Sequence, residues 1–263
     1  MLSRVSKVAL AAVVWVLSSC ATQVYLDRWE PSQVDIPRGT VLHVEPEARG
    51  PLRHELRRAF HQQIAADGYY QVQGSGPCAV LRLHRVHVNM VEPAENDKHR
   101  DRPYPNRVEL TADVICNYQR IYRRDLSEYV GSDFDYRPDW EGAAEEIAAD
   151  VMRDLTPHVR RYSMGVDSVE GNPAVEQAAR ACAAGSWEQG RALAHAALKQ
   201  NPNEAEACYV LGIIERHARN YSASDSWFRK AHSLKPDSKY SSALRGNAQI
   251  QTAEQRAYLQ LNR

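Results

Sequence analysis

The 263-residue chain has little that would drive chemistry. It has no G-x-S-x-G, H-E-x-x-H, Walker or G-x-G-x-x-G pattern, so the common hydrolase, metalloprotease and nucleotide-binding signatures are missing. It lacks a charge bias: 33 basic and 33 acidic residues cancel. Nucleic-acid binding needs a net cationic footprint, which this balance denies. Five cysteines are too few for a disulfide scaffold, and 13 Gly with 13 Pro exclude a collagen-like chain. Long apolar runs are also scarce. The only one, Val8 to Leu17, would span about half of a ~30 Å hydrocarbon core. What remains is ordinary globular composition, 25% charged and 43% hydrophobic, enough for one large or two modest domains.

The short run is informative through its flanks. Arg4 and Lys7 precede it, and Leu17-Ser18-Ser19-Cys20 follows it. This order resembles the leader of bacterial lipoproteins, in which a branched apolar residue and two small residues precede the modified Cys. The resemblance implies cleavage after residue 19 and acyl chains such as palmitate on Cys20. It also implies anchoring in the outer membrane on the periplasmic side, since Ala21 permits export. Several acyl chains hold a protein where one is marginal. Residues 1–19 are therefore expected to be a signal peptide and 20–39 a lipidated tether. Pro31, Pro37 and Gly39 punctuate that tether.

Residues 40–165 alternate between the two hydrophobic periods. Thr40–Glu45 reads as a strand. Leu52, Leu56, Phe60 and Ile64, with Ala59 beside them, form one apolar helix face that Asp67-Gly68 ends. Tyr69–Gln73 reads as a short strand and Cys78–Met90 as a long one. In the long strand the apolar parity slips near His84-Arg85, and a β-bulge there would return both groups to one core. Arg107–Tyr122 reads as the next strand, and Ser127–Tyr136 can add another. Pro138 opens a second helix with Ile147, Val151 and Leu155 on its face, which Pro157 should end near Thr156. The order β-α-β-β-β-α implies an α+β two-layer sandwich with a mainly antiparallel sheet. In element order it resembles the amino-terminal domain of TolB and the lipoprotein LptE, without a shared motif.

Residues 171–204 and 205–238 repeat at a period of 34. Trp187 matches Tyr221, Ala197 matches Ala231, and Pro202 matches Pro236. Leu211-Gly212, Phe228, Ala231 and Pro236 resemble the tetratricopeptide (TPR) pattern, which implies an all-α array of helical hairpins capped by a helix over 239–261. Gly212 and Ala231 would be small where helices cross, and Gly246 stands at a like position. Glu215 and Ser224 depart from the pattern. Residues 171–263 hold 12 basic and 8 acidic side chains, whereas residues 20–170 are net acidic.

The resemblance implies a concave groove for a partner protein of the envelope, with Glu176, Arg180, Tyr209, Ile213 and Arg216 as candidate contacts. Cys78 and Cys116 lie on neighbouring candidate strands and form a possible disulfide; two buried thiols are the other reading. His84 and His87 fall on opposite faces of a regular strand, so no metal site is expected unless a bulge intervenes. The three Asp residues between Asp133 and Asp139 lack an EF-hand pattern. Arg120, Arg123 and Arg124 could meet lipid headgroups or water. The expected function is a non-enzymatic adaptor or assembly factor for a secretion, pilus or polysaccharide-export system. It would need no catalytic residue and no cofactor besides the lipid on Cys20. Two alternatives are an envelope-polymer hydrolase and a lipid- or glycan-binding module. Cys20→Ala should move the protein from the membrane fraction to the soluble periplasm, as followed by cell fractionation; retention in the membrane would refute the anchor.

Overall fold

The computed structural model describes residues 21–92, 103–131 and 137–262. In chain order the elements are β1 (Thr22–Glu30), β2 (Val41–Pro46), α1 (Gly50–Asp67), β3 (Cys78–Val91), β4 (Tyr104–Cys116), β5 (Gln119–Tyr129), α2 (Trp140–Leu155) and β6 (His158–Val166). The helices α3 (Pro173–Ala183), α4 (Trp187–Gln200), α5 (Ala205–His217), α6 (Tyr221–Leu234) and α7 (Ser238–Leu261) follow. The class is α+β. Two compact units divide the described residues: Glu30–His158 with Arg256–Asn262, and Val159–Gln255 with Ala21–Trp29.

The first unit is a four-stranded sheet in the order β2-β3-β4-β5, with α1 and α2 against one face. β2 pairs with β3 in parallel, through the crossover helix α1, and the other pairs are antiparallel. The expected faces of α1 and α2 are the buried ones. Gly68 takes a left-handed conformation and its N–H reaches the Ile64 carbonyl. α2 stops at Thr156, whose N–H and hydroxyl both donate to the Met152 carbonyl, one residue before Pro157.

The order β-α-β-β-β-α is realised, although different segments fill it. Tyr69–Gln73 is not a strand; only Gln71 bridges to Val41. Tyr69 and Tyr70 instead point their hydroxyls inward, to Ile36 O and Gln260 O and to Leu155 O. The strand expected over 107–122 breaks at Asn117-Tyr118, where both residues have positive φ. Cys116 pairs with Gln119 across this two-residue turn, so β5 begins there. Ser127–Tyr136 gives only its first residues, to Tyr129, to β5; residues 132–136 lie outside the described residues. The bulge near His84-Arg85 is present: the register jumps between His84 and His87, with Arg85 at φ 55.

The second unit joins the two-stranded β1-β6 sheet to helical hairpins α3-α4 and α5-α6 and to the start of α7. Asp27 faces Arg161, and Gln23 lies beside Gly165, so β1 and β6 run antiparallel. This corrects the tether. Residues 22–30 are a strand with Val24 and Leu26 buried, and Val34 and Ile36 enter the core of the first unit. The helix over 238–261 also does more than cap the array. Its last residues belong to the first unit, where the Gln260 amide accepts from Ser32 N–H and donates to Val34 O.

The period of 34 is visible in packing. Trp187 and Tyr221 each open a second helix, and Ala197 and Ala231 are fully buried. A Cβ on Gly212 would lie 2.4 Å from the Phe228 ring, so the crossing needs glycine there. Gly246 is different: its nearest neighbour would be an Arg216 Nη atom at 3.7 Å, an ordinary contact. Gly212→Ala should therefore lower unfolding free energy by about 1–3 kcal/mol. Gly246→Ala should be neutral or raise it by about 0.5–1 kcal/mol, because helix entropy alone changes. Denaturant melts of the two variants check the contrast.

Candidate functional site

The five residues expected in a groove separate into two groups. Glu176 and Arg180 lie on α3 as an i,i+4 ion pair at 2.5 Å, with Arg180 exposed. Tyr209, Ile213 and Arg216 are buried, which corrects their assignment as partner contacts. The cause is that this face of α5 is filled from within its own unit. Tyr240 of α7 packs its ring 5.1 Å from that of Tyr209. The Arg216 guanidinium donates to Asn247 Oδ1 at 2.6 Å, to Met164 Sδ at 3.2 Å and to the Ala243 carbonyl. It also lies 4.9 Å from the Phe228 ring centroid.

The two departures from the repeat pattern are both engaged, Ser224 in the Arg216–Asn247 network and Glu215 in a separate one. Ser224 donates to Gly212 O at 2.8 Å and accepts from Asn247 Nδ2 at 2.9 Å. Glu215 pairs with Arg191 and accepts from Asn220 Nδ2 at 3.1 Å. A second buried carboxylate, Glu206, accepts from Tyr240 OH at 2.6 Å, from Asp167 N–H at 2.7 Å and from Lys239. Burial and the Glu206 charge both push the Tyr240 hydroxyl pKa upward. These contacts hold helices together and engage Glu206, Glu215 and Arg216 of α5 within their own unit.

On the helix-free face of the sheet the bulge brings His84 and His87 to the same side, since they pair with Thr111 and Glu109. His84 Nε2 is 3.1 Å from Asp113 Oδ2. Arg123 binds the same carboxylate through two donors, at 2.8 and 2.9 Å, and Arg120 Nη1 is 3.8 Å away. Burial raises the Asp113 pKa, but the Arg123 hydrogen bonds and charge outweigh it and leave the pKa lowered. Among the described residues no group of three or more His, Cys, Asp or Glu could hold a metal ion. Arg124 is also engaged, with Asp150 and Asp154. Of the basic trio, Arg123 and Arg124 are therefore braces for carboxylates. Asp139 caps α2 by accepting from Gly142 N–H at 2.8 Å; Asp133 and Asp135, like Cys20, lie outside the described residues.

The disulfide considered between Cys78 and Cys116 is not formed. Ala79, not Cys78, pairs with Cys116, so the two thiols leave opposite faces of the sheet. Nor are both buried: Cys78 is exposed. Cys182 and Cys208 are buried, and burial pushes the Cys182 thiol up to about 11, which leaves it unreactive at neutral pH.

Two features escaped the sequence pattern. β5 is an edge strand of the sheet, with Ile121 and Tyr129 exposed on it and Tyr118 exposed in the turn before it. A cavity of about 670 Å³ lies between the far half of the β3-β4 hairpin and the starts of α1 and α2. The parity group Val86, Val88 and Met90 was legible, but its partial exposure was not.

No family model and no curated protein matches the chain. Among solved structures, it is similar to a minor lipoprotein from Acinetobacter baumannii at 14% identity and TM-score 0.34, over 46% of this chain and 92% of that one. It is also similar to a PelC dodecamer from Paraburkholderia phytofirmans at 13% identity and TM-score 0.31, over 50% of this chain and 96% of that one. At these TM-scores neither likeness carries fold or function across. No helix among the described residues is long and apolar enough to cross a membrane.

The Asp113 cluster makes a pH prediction. A carboxyl whose folded pKa is depressed stabilises the fold above its unfolded value of about 3.9, and that contribution is lost as pH falls through the folded pKa. Asp113→Asn should lower the melting temperature by several degrees at pH 7 and by progressively less below about pH 4. An equal loss at both pH values would show that the ion pairs are not the stabilising element.

Proposed function

We propose that this chain is a lipid-anchored protein of the bacterial envelope that faces the periplasm from the outer membrane and binds other envelope proteins. Its role is that of an adaptor or assembly factor for a secretion, pilus or polysaccharide-export machine. It acts without catalytic residues and without a cofactor beyond the lipid on Cys20. The leader ending in Leu17-Ser18-Ser19-Cys20 supports the anchor. β1 begins at Thr22, so the folded chain starts within about 7 Å of the acylated residue. The unit that contains β1 is thereby kept at the membrane surface.

The observation that carries partner binding is the open edge of β5. An edge strand offers unpaired N–H and C=O groups to a strand of another chain, and alternate side chains give specificity. The first half of β5 is guarded by Arg120, Arg123 and the register shift beside Ile121. From Tyr122 to Tyr129 the ladder is regular, with Tyr129 exposed at its end. This half is the docking edge for a partner strand. The 34-residue hairpins are read as TPR-like units that serve as a scaffold, since the face of α5 that a TPR groove would use is filled by residues of β6 and α7.

Photo-reactive residues in place of Tyr118, Tyr129 and Arg180, each in the full chain and irradiated in intact envelopes, test this reading. A protein adduct is expected from position 129 and not from position 118, which precedes the guarded half. Adducts from position 180 alone, or none from β5, would overturn it.

A further inference from the structure

The cavity beside the β3-β4 hairpin has a structural origin. β2 is six residues long and its last pair is Pro46 with Leu83, whereas β3 continues to Val91. Among the described residues, β3 has no parallel neighbour beyond Leu83. The bulge then turns Val86 and Val88 to the helix side, where the sheet overhangs the first turns of α1 and α2. Leu52, Val86, Val88, Met90 and Trp140 line the resulting space. Its volume of about 670 Å³ falls in the range of about 300–1,000 Å³ usual for small-molecule sites.

One rim of this apolar space is cationic. Arg49 lines it and also lines an adjoining hollow that adds Arg53 and Arg57. Arg53 and Arg57 are four apart on α1 and share a helix face, and Arg49, the extended N-cap residue, lines the same hollow. Among the described residues, none of the three makes an ion pair. Glu47 lines both spaces and Glu45 the second, at 4.0 and 3.8 Å from Arg82, so the arginines outnumber the carboxylates of the hollow three to two. α1 opens with no acidic residue in its first turn and no side-chain cap, so its N-terminal N–H groups add positive potential at the same rim. A glycan would bury many hydroxyls against these apolar side chains with only Glu47 and Arg49 as side-chain partners, which is costly. An acyl chain would not, and each methylene it buries strengthens binding about fourfold.

We propose that this cavity binds a single-chain anionic amphiphile, with the acyl chain on Leu52, Val86, Val88, Met90 and Trp140 and the carboxylate between Arg49 and Arg53. The site is independent of the β5 edge, so the chain would carry a lipid-class ligand in addition to a protein partner.

The test uses the full chain in nanodiscs of zwitterionic phospholipid. A diazirine-bearing myristate is added and irradiated, and adducts are located by peptide mass spectrometry. A diazirine-bearing tetradecanol of the same length is the neutral control. Myristate adducts are expected on Val86–Met90 or Trp140, and the alcohol should label there about three- to tenfold less. Arg49→Ala with Arg53→Ala should cut myristate labelling by a similar factor, as the exposed pairs are modest individually. Val88→Trp should abolish it by filling the space. The arginine changes are on the surface, so they keep the test valid if Val88→Trp unfolds the chain. Absence of adducts on these residues overturns the site. Equal labelling by acid and alcohol overturns the anionic ligand, and unchanged labelling in the double arginine variant does the same.

Discussion

The helical unit is organised around one buried cation. Arg216 is only 6% exposed, and removing a guanidinium from water is expensive unless its donors are satisfied. Every neighbour is therefore constrained. Asn247 and the Ala243 carbonyl must come from α7, Met164 must come from β6, and Phe228 of α6 must present its ring. The same requirement explains why Ser224 stands where alanine would be usual: it holds Asn247, which holds Arg216. A stack of two hairpins alone could not satisfy this group. The two-stranded sheet and the last helix are thus obligatory parts of the unit, and the face of α5 they close is lost to ligands.

In the α/β unit the equivalent constraint is register. A parallel strand of six residues beside one of fourteen covers only half of the longer one. A regular continuation would send Val86 and Val88 to the opposite face from Leu81 and Leu83. Arg85 at positive φ reverses that, at some backbone cost for a non-glycine residue, and keeps all four on the helix side. The bulge also places His84 where it can meet Asp113. One local irregularity therefore sets both the polar cluster on one face and the apolar overhang on the other.

Local pattern was legible where the cause was local. The faces of α1 and α2, the phase slip at Arg85 and the 34-residue repeat all follow from side-chain periods, and each appears in the structure. What pattern could not show depends on distant partners. The Asp27–Arg161 pair joins strands 134 positions apart, so β1 reads as a tether until β6 is placed beside it. The turn at Asn117-Tyr118 contains no glycine, so nothing marks the end of β4 except the tolerance of Asn for positive φ. Tyr69 and Tyr70 look like strand residues but act as buried anchors for carbonyl groups. The repeat spacing predicts an open concave face on α5; it gives no sign that Tyr240 and Met164 occupy that face.

In the function proposed above, recognition moves from the repeats to the sheet. A concave helical face can bind a partner only while it is empty, and here burial of Tyr209, Ile213 and Arg216 spends it on folding. The α/β unit has the opposite economy. Among the described residues its sheet outruns its cover on two sides, leaving β5 without a neighbouring strand and the distal part of β3 without a roof. Both features arise from backbone pairing that stops early, and neither is needed to satisfy a buried polar group. Surface that folding does not use is where binding can be added without loss of stability. The arginines at the start of α1 and the open ladder of β5 meet that condition in chemically different ways, one suited to an anion with an apolar tail and the other to a peptide strand.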